Sequence, residues 1–99
     1  MIDNLQAELW TSWASMLRVY AAAHGLTSTH PAVVEVGAEE IVLRVGERWA
    51  RFTRDEVTTN EGVSVPFSMQ EDGRIRIGDL EDEMDMAAER VAREMLAKG

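Results

Sequence analysis

The chain has 99 residues, 45% of them hydrophobic, and a formal net charge of −8, a composition that predicts one α+β domain over residues 1–99 rather than a disordered chain. The negative charge opposes binding to nucleic acid or to an anionic membrane, and no apolar run is long enough to cross a bilayer. The chain has no cysteine for disulfide or thiolate chemistry, and its N-terminus lacks the pattern of a signal peptide, so we expect a cytoplasmic protein.

The first predicted element is a helix from Asp3 to His24. Asp3 is a candidate N-cap residue, paired with Gln6 three positions on, and Gly25 suits the position that follows a helix, with Leu26 able to fold back on the last turn. The apolar residues form two adjacent stripes, together spanning roughly 200°, about twice the arc that a helix lying on one surface buries. The stripes are Leu5, Leu9, Trp13, Met16 and Tyr20, and Trp10, Ala14, Leu17 and Ala21. We therefore expect this helix to be covered on more than one side.

Three strands are predicted after the loop that ends at Pro31, over residues 33–36, 41–45 and 48–52. A two-residue turn at Gly46-Glu47 joins the last two and sets the register, which leaves one face largely apolar. The predicted inner pairs are Val36 with Ile41, Val34 with Leu43, Val45 with Arg48, Leu43 with Ala50, and Ile41 with Phe52. The opposite, outer face carries Arg44, Trp49 and Arg51.

The following segment is less regular. The polar residues from Asp55 to Gly62 indicate a loop, and residues 63–69 alternate as a strand. A two-residue turn at Asp72-Gly73 would mix polar and apolar residues on each face of the next hairpin. A three-residue loop with Gly73 in the left-handed region instead sets Met69 opposite Ile75 and Phe67 opposite Ile77. The pattern favours the three-residue loop.

A final helix is predicted from Leu80 to about Lys98, capped by Asp79, with acidic residues in its first turn as the helix dipole favours. Its apolar stripe is narrow, with Ala92 and Leu96 at the margin. The stripe consists of Leu80, Met84, Ala88, Val91 and Met95. The predicted architecture is an N-terminal helix, a meander of about five antiparallel strands and a C-terminal helix, with both helices on one face of the sheet.

Residues with catalytic or metal-binding chemistry are few. His24 and His30 lie apart, without the spacing of metal ligands or of a catalytic pair, so we expect no catalytic residue, metal or cofactor. The acidic run over residues 71–85 fits no calcium-binding loop. It is either a solvated face favoured by the helix dipole or a docking surface for a basic partner.

The preferred hypothesis is a non-enzymatic protein-interaction module, accessory, chaperone-like or inhibitory, that forms a homodimer. The wide apolar arc of the first helix and the tryptophan and arginines of the outer sheet face are more than a monomer usually exposes. The outer face also has a simpler interpretation, an ordinary solvated surface with its arginines paired to acids. The candidate interface residues are Trp10, Trp13, Ala14, Leu17, Arg44, Trp49 and Arg51.

The alternative hypothesis is a small-molecule binding domain with a pocket between the first helix and the sheet, lined by Trp13, Met16 and Tyr20. In charge and element order the chain resembles bacterial secretion chaperones. The segment after Phe52 is shorter than the middle helix of that family, and no residue role is taken from the resemblance.

Overall fold

The computed structural model describes residues 4–25 and 31–97. Within them, two helices and a seven-stranded antiparallel sheet confirm the α+β class with a helix near each end. Each strand pairs with the next one along the chain, so the sheet is a meander. The helices are α1 (Asn4–Gly25) and α2 (Met84–Ala97). The strands are β1 (Ala32–Val36), β2 (Ile41–Val45), β3 (Arg48–Phe52), β4 (Glu56–Thr59), β5 (Ser64–Met69), β6 (Arg74–Ile77) and β7 (Leu80–Glu83).

The predicted strand registers are confirmed. All five inner pairs predicted for β1 to β3 occur, and Met69 pairs with Ile75 as the three-residue loop requires. Gly46 and Gly73 have φ values of 62° and 91°, in the left-handed region that residues with a Cβ rarely adopt. The alternation of apolar and polar residues therefore predicts the register of two neighbouring strands when both strands carry it.

The predicted number of about five strands is wrong, and one missing strand is β4. This strand lies in the segment that was predicted as a loop, where Val57 is the only buried residue. Val57 pairs with Phe52 on β3 and with Val65 on β5. A single apolar residue in a polar run produces no alternating pattern. β4 is therefore determined by its pairing with β3 and β5 and not by its own sequence.

The second missing strand is β7, so α2 begins at Met84 and not at Leu80. Gly78 has a φ of 60° and begins a two-residue turn that brings the chain back along β6. Asp79, predicted as the helix cap, therefore lies in this hairpin turn.

Opposite charges face each other across the last two strands. Arg76 is paired in register with Glu81 and Arg74 with Glu83, and Nη1 of Arg74 lies 3.5 Å from Oε2 of Glu81. Such pairs stabilise neighbouring strands. The sequence predicts these acids in the first turn of a helix, because the helix dipole favours acidic residues there. Their pairing with β6 shows that they form a strand instead.

The core lies between the two helices and one face of the sheet, and its centre is aromatic. Trp13 of α1 is fully buried, with its ring centroid 5.4 Å from that of Phe52 and 5.6 Å from that of Phe67. The planes of Trp13 and Phe52 are inclined by 77°, the edge-to-face arrangement that ring quadrupoles favour. These contacts attach α1 to β3 and β5.

Most of the wide apolar arc of α1 is covered within one chain, because α1 packs against α2 as well as against the sheet, while Leu5 at its start stays exposed. The apolar face of α2 is wider than predicted, since Ala87, Ala92 and Leu96 are buried beside its expected stripe. Polar contacts also attach α2 to its neighbours: Arg90 forms an ion pair with Asp82 of β7, and His24 Nε2 of α1 lies 3.8 Å from Glu89 Oε2.

Some predicted features lie outside the described residues, namely the cap at Asp3, the contact of Leu26, the loop residue His30 and the helix end at Lys98. Gly25, predicted to follow α1, is its last residue. Among the residues described, neither helix has the length and hydropathy needed to cross a membrane.

The facing of the sheet predicts unequal effects of two neighbouring substitutions. Leu43→Ala should lower the free energy of unfolding by about 2–4 kcal/mol, because Leu43 is fully buried. Arg44→Ala should cost under about 0.5 kcal/mol, because its pair with Glu35 is exposed. Denaturant melts of the two variants measure both values, and equal losses would contradict this arrangement.

Candidate functional site

A partly open cavity of about 180 Å³ lies between the inner face of the sheet and the second half of α2. Inward-facing residues of β3 to β6, the turn after β4 and one side of α2 form its walls. The lining residues are Arg48, Ala50, Phe52, Val57, Thr59, Asn60, Glu61, Val65, Ile77, Val91, Glu94 and Met95. We call this space the α2 cavity.

The walls of the α2 cavity are apolar because of strand and helix periodicity. Ala50, Val57 and Val65 lie at inward positions of three consecutive strands, and Val91 and Met95 are four residues apart on one side of α2. These three strand residues have short side chains, whereas the neighbouring part of the same face is filled by the aromatic core, whose Phe52 also borders the cavity. The sheet and α2 therefore leave a gap that their own side chains do not fill.

Within residues 4–25 and 31–97, Arg48 is the one cationic residue that lines the α2 cavity. It begins β3 and pairs with Val45, directly after the turn at Gly46, so its inward direction is set by the hairpin. Although the residue as a whole is partly exposed, its Nη1 and Nη2 atoms are buried and have no hydrogen-bond partner. A guanidinium buried without an anion is costly, because its lost hydration is not replaced.

The indole Nε1 of Trp13 is also buried without a partner, but it differs from the arginine in its surroundings. Trp13 is fully buried in the aromatic core, in contact with the rings of Phe52 and Phe67. Arg48 lines a space that is open to solvent on one side. Of these two residues, Arg48 is the one that lines the α2 cavity, and a turn of its guanidinium toward the cavity would let a bound molecule provide the missing partner.

Three exposed polar residues form the mouth of the α2 cavity: Asn60, Glu61 and Glu94. Two hydrogen bonds hold Asn60 against β3. Its side-chain Oδ1 accepts from the backbone N–H of Trp49 at 3.0 Å, and its backbone N–H donates to the Trp49 carbonyl at 3.2 Å. The turn that follows contains Gly62, with φ 82°. One side of the mouth is thus a turn that is hydrogen-bonded to β3, and the other side is α2.

The candidate interface residues of α1 lie in the interior of the chain. Trp10, Trp13, Ala14 and Leu17 are all buried. The Trp10 indole donates a hydrogen bond to the Gly37 carbonyl at 3.0 Å, and the Arg54 guanidinium lies 5.0 Å from the centroid of its ring. These side chains support the fold of a single chain and offer no free surface to a partner.

The candidate interface residues of the sheet remain at the surface. Arg44 is exposed and pairs with Glu35 at 2.6 Å, and Arg51 is exposed and lies 3.9 Å from Glu40. Trp49 is partly buried between them on the outer face. The arginines have the acidic neighbours that an ordinary solvated face would supply.

The pocket residues predicted from sequence are not part of the α2 cavity. Trp13 is fully buried, and Met16 and Tyr20 pack, partly buried, against the core. The α2 cavity lies beneath α2 instead of α1, and sequence reasoning missed Arg48. One signal was available: the predicted hairpin register already placed this charged residue on the otherwise apolar face.

Comparison with known protein families, with curated proteins and with solved structures finds no match to this chain. Within residues 4–25 and 31–97, no group of three or more histidine, aspartate or glutamate residues is arranged to hold a metal ion. The α2 cavity is therefore interpreted from its own geometry.

Replacing the guanidinium tests whether Arg48 is unpaired in solution. Arg48→Met keeps much of the side-chain volume and removes the charge, so it should raise the free energy of unfolding by about 1–3 kcal/mol. The matched control is Arg51→Met on the outer face of the same strand, which should change it by under about 0.5 kcal/mol. Urea denaturation gives both values. Destabilisation by Arg48→Met would indicate that the guanidinium has an anionic partner within the chain.

Proposed function

We propose that this chain is a small-molecule binding domain whose site is the α2 cavity. The observation that supports the proposal is an apolar, partly open cavity containing a buried cationic group without a partner. Apolar walls with a few placed polar groups are the usual composition of ligand sites. A buried charge without a partner lowers the stability of the folded chain. Groups that lower stability are often kept where they serve function.

The polar groups of the α2 cavity favour binding over catalysis. They are the guanidinium of Arg48, the hydroxyl of Thr59 and the three polar side chains of the mouth. General acid–base or nucleophilic catalysis requires a base within hydrogen-bond reach of the group that it activates. The two carboxylates of this set are on exposed residues at the mouth, away from the apolar interior. We therefore propose a non-enzymatic binding protein. The cytoplasmic location expected from the sequence remains part of this proposal.

The size of the α2 cavity limits its ligand. A dry cavity of about 150 Å³ accommodates benzene, so a volume of about 180 Å³ suits a molecule only slightly larger. Small ligands gain at most about 1.5 kcal/mol per heavy atom and usually much less. We expect dissociation constants of about 10 µM to 1 mM for such a molecule.

Filling the cavity should abolish binding. We would titrate the protein with hexanol, hexanamide, hexanoate and hexylamine and follow amide chemical shifts by NMR. At least one probe should give saturable shifts clustered around the α2 cavity. Val91→Phe, which extends into the cavity from α2, should eliminate them.

The control for that experiment is Val19→Phe, the same substitution on the exposed side of α1. This variant should bind like the wild type, and circular dichroism should show that both variants are folded. Binding that survives in Val91→Phe, or the absence of any saturable shift in the wild type, would contradict the proposal.

Self-association stays a second proposal, because edge strand β1 presents two exposed valines. Val33 and Val36 are 48% and 44% exposed, and Val33 lies beside Arg44 and Trp49 on the outer face. An edge strand with unpaired backbone groups can pair with a second copy. A homodimer would then use β1 and the outer face, since the apolar residues of α1 are buried.

Light scattering coupled to size exclusion measures the oligomeric state. A homodimer should give twice the chain mass of 11.1 kDa at tens of micromolar protein. Val33→Glu and Trp49→Glu should restore the monomer mass with the fold retained. The control is Val19→Glu on α1, which should leave the dimer intact. A wild-type mass of one chain would rule out this assembly.

A further inference from the structure

The structure carries a more specific inference, which rests on the proposed small-molecule site. We infer that the ligand of the α2 cavity is a small monocarboxylate with an apolar body. Its carboxylate binds Nη1 and Nη2 of Arg48, and because both atoms are buried in the structure, the guanidinium turns toward the cavity when the ligand binds. The two unpartnered nitrogens of Arg48 and the apolar cavity beside them define both halves of this molecule.

The head group follows from the geometry of guanidinium. Its two terminal nitrogens donate parallel hydrogen bonds to the two oxygens of a carboxylate. In the structure both nitrogens are buried and neither has an acceptor. A neutral carbonyl or hydroxyl could accept a hydrogen bond but would leave the positive charge without a counterion, and a cationic ligand would be repelled.

The charge around the α2 cavity favours one negative charge on the ligand over two or more. Among the residues that the structure describes, Arg48 is the only basic residue of the lining, while Glu61 and Glu94 lie at the mouth. The C-terminal part of α2 also covers the cavity, and helix C-termini carry partial negative charge. A phosphate or dicarboxylate would leave part of its charge uncompensated near these groups, so the site suits a monoanion.

The body of the ligand follows from the rest of the lining. Seven lining residues from the strands and α2 are apolar, and the volume is about 180 Å³. Short aliphatic or single-ring acids have a matching size and surface. Glu94 acts against such a ligand, because its carboxylate repels an anion at the mouth.

The first test compares hexanoate with hexanamide, which have nearly the same shape and differ in charge. NMR titration of the wild-type protein should show hexanoate binding tighter by at least about tenfold, since a charge-assisted bidentate pair is stronger than neutral hydrogen bonds. Equal affinities would overturn the carboxylate inference and leave the cavity proposal standing. Binding of neither probe, nor of any other in the panel, would instead overturn the proposed function.

The second test uses variants to locate the preference. Arg48→Met should remove the preference for hexanoate while hexanamide still binds, and Arg51→Met should retain the wild-type preference. Glu94→Gln should bind hexanoate about two- to fivefold tighter and leave hexanamide unchanged, since only repulsion of the anion is removed. If Glu94→Gln leaves hexanoate affinity unchanged or weakens it, or if Arg48→Met keeps the preference, the assigned head-group position is wrong.

Discussion

The rest of the structure depends on the burial of Trp13 against Phe52 and Phe67. This contact fixes α1 over β3 and β5, and it requires the inner residues of those strands to point to the same side. α2 then packs beside α1, where its alanines permit a close approach. The large aromatic side chains fill the space under α1, whereas Ala50, Val57 and Val65, which have shorter side chains, line the cavity beneath α2. The α2 cavity is thus a consequence of where the bulky residues of the core are placed.

Sequence reasoning predicted the fold wherever an element carries its own periodic pattern. The registers of β1 to β3 followed from alternating valine, isoleucine and leucine, and the loop before β6 followed from the mismatch that a shorter turn would create. It failed where neighbours decide the structure. β4 contains one buried residue, Val57, and β7 carries acids that suit either a strand opposite Arg74 and Arg76 or the start of a helix.

The candidate site was less predictable than the fold, for a physical reason. The hairpin pattern was sufficient to place Arg48 on the inner face, but it could not show whether an acid would reach the guanidinium. That depends on α2 and on the turn after β4, which bring Glu94 and Glu61 to the mouth. Likewise, the burial of Trp10 and Leu17 depends on how α2 packs beside α1, so an exposed interface and a covered core were equally compatible with the pattern of α1.

In the described part of the chain, two buried side chains have unpartnered polar atoms, and they differ in what could relieve their cost. The Trp13 indole belongs to the closed core, so its unmet hydrogen bond is a fixed cost of about 1–3 kcal/mol to the folded chain. The cost at Arg48 depends on occupancy, because an anion in the α2 cavity would pair with the guanidinium only when the hairpin and α2 are in place. A ligand that binds only the folded state stabilises it by mass action. Binding of an anion there would therefore recover the stability lost at the unpaired guanidinium, and a ligand of the wrong charge would not.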